Sequence, residues 1–232
     1  MTQWHRAPRI LEPGAGLGLC GIVASKLLSD RHASAGAEGA SGSAGRVVIT
    51  DGCEVTVSMC RKNIAANACE PTISTCEQLW WGAGPELDRL SSRHQDGFDF
   101  IFGADCIYEK VDKGQLDALL ETACRMLRKP TTPDPNATLP GGLPGAGGGG
   151  AGTGAEPSAA VFLLAFCRQL VPIDNVLDLA RSKGLVPQLA EDRVYDMFGH
   201  NTDGMTDMWA DCIYEFRWTP LPDPPPPATA IF

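Results

Sequence analysis

Metal-ligand spacing is missing from this chain. Its nine cysteines (positions 20, 53, 60, 69, 76, 106, 124, 167 and 212) form no C-x-x-C pair, and its four histidines (5, 32, 94 and 200) fall at no ligand spacing from them. No metal site is therefore expected. The odd cysteine count, set within apolar or helical runs, also argues against a disulfide framework. These cysteines read as reduced, mostly buried small hydrophobes. Apolar runs stay short of the roughly 18 residues that a membrane span needs, and no signal peptide is seen. Positive charge is scarce, with 19 Lys and Arg against 28 Asp and Glu and a net charge of −9. This balance argues against non-specific nucleic-acid binding, and no Lys/Arg cluster suggests a local basic groove. Together these absences predict a cytoplasmic protein, monomeric, with neither membrane nor nucleic acid as partner.

What the chain has in quantity is glycine, 26 residues in 232. One use of it stands out, in Ile10-Leu-Glu-Pro-Gly-Ala-Gly-Leu-Gly-Leu-Cys-Gly-Ile22. Two apolar residues lead into an acid, then alternating glycines, then an apolar run able to wind into a helix. A strand that ends in a glycine loop and opens a helix lets a ligand lie against the backbone, because no Cβ stands in the way. Gly16, Gly18 and Gly21 spell G-x-G-x-x-G, the dinucleotide fingerprint. Glu12 argues against that reading, since a carboxylate suits donors or positive charge on a ligand and does not suit a pyrophosphate. A bare glycine-rich turn is the remaining alternative.

Strands alternate with helices along the chain. Strands are read at Arg9–Leu11, Arg46–Thr50, Thr72–Trp81, Phe98–Phe102 and Ala159–Phe166, with two more within Leu185–Trp218. Helices are read at Gly18–Leu28, Cys53–Asn67, Asp112–Leu127 and Ile173–Lys183, the last closed by Gly184. In Asp112–Leu127, Leu116, Leu119, Leu120, Ala123 and Leu127 share one face. This pattern predicts one α/β domain over residues 1–218, built on a parallel, doubly wound sheet. Residues 29–45 are Ala/Gly/Ser-rich and are expected to form a flexible insertion. Residues 131–158 hold nine glycines and five prolines and are expected to be a second one. Residues 219–232 read as a proline-rich tail.

Sheets of this class bind ligands at the carboxyl ends of their strands. Glu12, Asp51, Trp81 and Asp105 all fall at such ends. Asp51 suits both ribose hydroxyls of a nucleoside; its alternative is a helix cap. An indole in Trp80-Trp81-Gly82 suits adenine, with Trp80 read as an ordinary core or surface residue. Asp105 and Tyr108, three apart, are able to hold an amine between a carboxylate and a ring. As a bare residue, Asp105 is also a common loop or cap acid. The hexapeptide Ala-Asp-Cys-Ile-Tyr-Glu recurs at 104–109 and 210–215; unmatched flanks mark the second copy as a chance likeness.

Glu12-x-Gly14-x-Gly16-x-Gly18 resembles the first motif of S-adenosylmethionine-dependent methyltransferases with a seven-strand Rossmann-like sheet. Ile49-Thr-Asp-Gly52, Asn63-x-x-x-Asn67, Leu79-x-Trp-Gly82 and Phe98-Asp-x-Ile-x-Gly-Ala-Asp-Cys-Ile-Tyr-Glu109 extend the likeness. Taken in order, these segments resemble the protein-lysine methyltransferases of the methyltransferase-like family, the group of the calmodulin-lysine and elongation-factor-2-lysine enzymes. The resemblance implies a class I methyltransferase fold with S-adenosyl-L-methionine as cofactor. It implies Gly14, Ala15 and Gly16 as the cofactor loop, with Glu12 and Gly18 in the same motif, Asp51 on the ribose, and Trp81 and Ala104 lining the pocket. Asp105 and Tyr108 would face a lysine of a non-histone protein. Phe166-Cys-Arg168 resembles the family's fifth strand. Pro13 departs from the family's usual leucine, and the loop before the second strand is long. Only about ten residues precede the glycine loop, so the usual N-terminal segment and its pocket tryptophan are expected to be lacking. Two other readings stay open: a nicotinamide-dependent Rossmann oxidoreductase, for which no Tyr-x-x-x-Lys is present, and a non-catalytic cofactor-binding relative.

Overall fold

A computed structural model describes residues 7–35, 45–107, 113–130, 160–167, 171–195 and 209–218. Seven strands form one sheet: β1 (Arg9–Pro13), β2 (Arg46–Asp51), β3 (Ser74–Gln78), β4 (Phe100–Ala104), β5 (Val161–Cys167), β6 (Leu185–Tyr195) and β7 (Trp209–Trp218). Five helices accompany it: α1 (Leu19–Ala35), α2 (Glu54–Ala66), α3 (Pro85–Arg93), α4 (Lys113–Met126) and α5 (Ile173–Ser182). The strand order is β3-β2-β1-β4-β5-β7-β6. Pairing is parallel from β3 through β5, whereas β7 runs antiparallel to both β5 and β6. The parallel, doubly wound sheet that was expected is found from β3 through β5, and β7 makes the seven-strand sheet mixed. β6 and β7 are sequential neighbours paired antiparallel, an arrangement that needs no crossover helix.

Alternation along β2 sends its side chains to opposite faces. Val48 joins the larger core, with Leu87 and Leu90 of α3, Leu116, Leu119, Leu120 and Ala123 of α4, and Val176 and Ala180 of α5. Val47 and Ile49 join the second core, with Leu28 of α1 and Cys60 of α2. Helices therefore cover both faces, as a doubly wound sheet demands. The face read on α4 is the one that is buried, and Leu119, Leu120 and Ala123 are fully inaccessible.

Two helices depart from expectation. Helix α1 does not stop at Leu28 but continues to Ala35, so residues 29–35 belong to a helix and not to a flexible insertion. The first glycine after Leu28 is Gly36, so no breaker interrupts the intervening stretch. Residues 36–44 lie outside the described residues, as do residues 131–158 and the tail 219–232. Helix α3 was not anticipated. Its first residue is Pro85, a favoured helix opener whose missing N–H costs nothing there, and only Leu87 and Leu90 are buried.

Strand order reverses between β1 and β4. Helix α1, which follows β1, packs on one face and α4, which follows β4, on the other, and such a switch point is the usual ligand position in these sheets.

Candidate active site

The glycine loop leaves β1 and reaches α1 through three left-handed residues, Gly14 (φ +71°), Gly16 (φ +55°) and Gly18 (φ +84°). The three meet different surroundings. A Cβ on Gly14 would lie 2.7 Å from Cζ2 of Trp81 and 2.9 Å from Cβ of Cys106. One on Gly18 would lie 2.4 Å from the Cys60 sulfur. One on Gly16 would meet nothing within 4 Å. The loop is packed from behind at both ends and open at its middle, which is what a backbone cradle for a ligand requires.

Backbone and side-chain bonds hold the loop to β2. The Ala15 N–H donates to the Thr50 carbonyl at 2.9 Å, and the Thr50 hydroxyl donates to the Glu12 carbonyl at 3.0 Å. Asp51 does two things. Its Oδ2 accepts the Gly16 N–H at 3.0 Å, and its Oδ1 accepts the Cys53 N–H at 2.9 Å, just ahead of α2. A cap-like role and a bond to the glycine loop are therefore combined in one partly exposed carboxylate. Asn63, part of the sequence resemblance, donates through Nδ2 to the Leu17 carbonyl at 3.0 Å and ties α2 to the loop.

Glu12 sits behind the loop. It is 3% exposed, and its Oε2 accepts the Gly21 N–H of α1 at 2.8 Å. Burial pushes its pKa up to about 8, against the pull of the Gly21 bond, and Cys60 raises it further. Glu12 thus acts first on the chain itself, fixing β1 to the start of α1. A Cβ at Gly21 would lie 2.5 Å from that same Oε2. The third glycine of the apparent dinucleotide fingerprint is thereby explained by an internal carboxylate.

Trp81 is partly buried against the larger core, with its ring behind Gly14. Ala104 ends β4, opposite Ala165 of β5, and is exposed. Asp105 follows with φ +51°, its N–H donated to the Ala165 carbonyl at 2.9 Å and its side chain in solvent. A left-handed non-glycine residue is tolerated best for Asp and Asn, and such residues cluster at working sites. The next residue, Cys106, backs Gly14. Asp105 therefore stands beside the glycine loop. Burial pushes the Cys106 thiol up to about 12, so it packs as a neutral group. Tyr108 lies outside the described residues.

Sequence reasoning missed three supports. Thr122 of α4 accepts the Gly82 N–H at 2.8 Å. Gln78 donates through Nε2 to the Gly52 carbonyl at 2.8 Å. Trp80 lies over Gly52 and is exposed. Gly82 stood within the Leu79-x-Trp-Gly82 resemblance, but its partner, 40 positions away, was not legible. Among the described residues no His, Cys, Asp and Glu cluster could hold a metal, and no helix is long and apolar enough to cross a membrane. All nine cysteines are free.

Residues 2–131 match the family model described as lysine methyltransferase. The chain belongs to the lysine methyltransferase family. A comparison with curated protein sequences finds no match. Among solved structures it is similar to the YcgJ protein from Bacillus subtilis, at 10% identity and TM-score 0.56, covering 92% of each chain. It is also similar to precorrin-6y C5,15-methyltransferase from Geobacter metallireducens, at 13% identity and TM-score 0.52, over 94% of this chain and 82% of that one. A third is magnesium protoporphyrin IX methyltransferase from Synechocystis, solved with bound S-adenosylmethionine. There the identity is 10% and the TM-score 0.52, over 92% of this chain and 71% of that one. At such identities the likeness is one of fold, and it places the seven-strand sheet among class I methyltransferases. Family and fold together support S-adenosyl-L-methionine as the cofactor. The described residues fit that group: an open backbone cradle at Gly16 lies next to a partly exposed carboxylate at Asp51.

Proposed function

We propose that this protein transfers a methyl group from S-adenosylmethionine to a lysine side chain of a non-histone protein. The observation that carries this reading is Asp105, an exposed carboxylate held in a left-handed turn beside the glycine loop, in a chain of the lysine methyltransferase family. The bound cofactor supplies an electrophilic methyl on a sulfonium. Gly14, Ala15 and Gly16 take the cofactor against the backbone. Asp51 accepts the ribose hydroxyls, with Ala104 and Trp81 at the pocket wall. Glu12 keeps the loop in register from behind. Asp105 receives the incoming amine and orients its lone pair, and Tyr108 shapes the channel. Holding the two reactants in line supplies much of the rate. Burying a lysine next to positive charge lowers its pKa and favours the free amine that attacks.

The test is Asp105→Asn. A hydrogen bond to a charged group contributes about 1.5–3 kcal/mol, so methyl transfer to protein lysine should fall roughly ten- to a hundred-fold. Calorimetric affinity for S-adenosylhomocysteine should stay within about threefold, since Asp105 touches the substrate side. Asparagine caps and tolerates left-handed backbone about as well as aspartate, so a purely structural Asp105 predicts normal activity. The readout is methyl-lysine after hydrolysis of cell-extract protein incubated with labelled S-adenosylmethionine. Label recovered only in a small molecule, in nucleic acid or on another amino acid sinks the lysine reading. Tight binding of a nicotinamide dinucleotide would favour the oxidoreductase alternative.

A further inference from the structure

Among the described side chains, Trp80 is the only Phe, Trp or Tyr that is exposed, at 63%. It stands two residues past the end of β3, on the carboxyl rim of the sheet. Its backing is built, not incidental. The Leu79 N–H donates to the Asp51 carbonyl at 3.0 Å, and the Gln78 side chain clasps the Gly52 carbonyl at 2.8 Å. Both bonds fasten the chain just before Trp80 to the two residues at the end of β2. The indole then occupies the space a side chain at 52 would take: a Cβ there would lie 3.1 Å from Cε3 and 3.2 Å from Cζ3. The ring rests against Gly52, the residue after Asp51, and most of it is left in water.

A tryptophan exposed to this degree forgoes the stabilisation that burying so large an apolar ring provides. A bound flat π-system would recover it. If Asp51 holds the ribose of a nucleoside, the base attached to that ribose supplies a flat π-system within reach of this rim. We propose that Trp80 stacks on the adenine of the cofactor, taking the place of a side chain at position 52. The proposal rests on the reading of Asp51 as the ribose ligand. It moves the aromatic contact from Trp81, whose ring is committed behind Gly14, to its neighbour.

The experiment is calorimetry with S-adenosylhomocysteine on wild type, Trp80→Ala, Trp80→Leu, Trp80→Phe and Asp51→Ala. Base–aromatic stacking, read by alanine substitution, corresponds to a loss of roughly five- to a hundred-fold in affinity. Trp80→Ala and Trp80→Leu should both show it, and Trp80→Phe should stay close to wild type. Leucine still covers Gly52, so a loss shared by Ala and Leu reports stacking and not a collapsed loop. Ligand-free melting temperatures should be alike, because the ring is exposed. If Asp51→Ala weakens binding while Trp80→Ala binds as wild type does, the ribose site stands and the Trp80 proposal falls. If wild type itself fails to bind S-adenosylhomocysteine, both fall. Normal binding by Trp80→Ala with reduced transfer to protein also overturns it, assigning the indole to the protein substrate.

Discussion

Substituting Glu12 by glutamine should remove a pH dependence from the folding stability. The carboxyl is buried and carries a pKa of about 8, raised first by burial. In the unfolded chain it titrates near the ordinary glutamate value, about 4.3. The folded state therefore binds the proton more tightly, and the sign follows. The contribution is fully present below about pH 4.3, and is lost as pH rises toward 8, since ionisation is then easier in the unfolded chain. Each pH unit within that window is worth about 1.4 kcal/mol, so the full loss has an upper bound on the order of 4–5 kcal/mol. Glutamine keeps the shape, and its Oε1 can accept the Gly21 N–H that Glu12 now accepts at 2.8 Å. Other carboxylates and histidines titrate in both proteins and cancel. The assay is urea unfolding of wild type and Glu12→Gln at pH 5, 6, 7 and 8. The stability difference should shift steadily in favour of glutamine as pH rises. A difference that stays flat from pH 5 to 8 would show that Glu12 titrates normally, and would refute its burial as an unpaired acid.

The glycine loop yields a contrasting pair. Gly16→Ala adds a methyl into open space, so only left-handed strain opposes it, about 1–2 kcal/mol of stability; calorimetry should nevertheless show a clear loss of S-adenosylhomocysteine affinity, because on the proposed reading that methyl enters the cofactor's place. Gly14→Ala drives a methyl into Trp81 and Cys106, and overpacking adds roughly 1–3 kcal/mol to the same strain; its melting temperature should fall well below that of Gly16→Ala.

The parts of the site that were legible in the sequence are those where a local pattern carries its own geometry. A run such as Val47-Val-Ile49 ending in Asp51 announces a buried strand and a polar rim residue together, and both are found. Alternating glycines announce a close approach of backbone to something. What was illegible depends on partners distant in the chain. That Glu12 turns inward follows from Gly21 lacking a Cβ in its path, a fact fixed only when α1 docks. The choice between Trp80 and Trp81 depends on which ring reaches Gly14 and which reaches Gly52. Neighbouring residues leaving a strand point opposite ways, so sequence narrowed the choice to two and packing made it. The antiparallel placement of β7 was hidden for a similar reason: strand direction depends on how the chain returns, and not on the strand's own residues.

The repeated hexapeptide makes the same point within one molecule. At 104–109 its first residue closes β4 and its aspartate turns into left-handed backbone at φ +51°. At 210–215 the same six residues run within β7, where Asp211 pairs with Cys167 of β5 and with Arg193 of β6. The first copy begins at the end of a parallel strand, with the Asp105 N–H spent on Ala165. The second is flanked by strands on both sides, so its backbone groups are claimed by two ladders. An identical acid thus becomes an exposed rim residue in one place and a ladder residue in the other. The role proposed for Asp105 depends on where β4 ends, beside the loop after β1, and the word Ala-Asp-Cys-Ile-Tyr-Glu confers none of it alone.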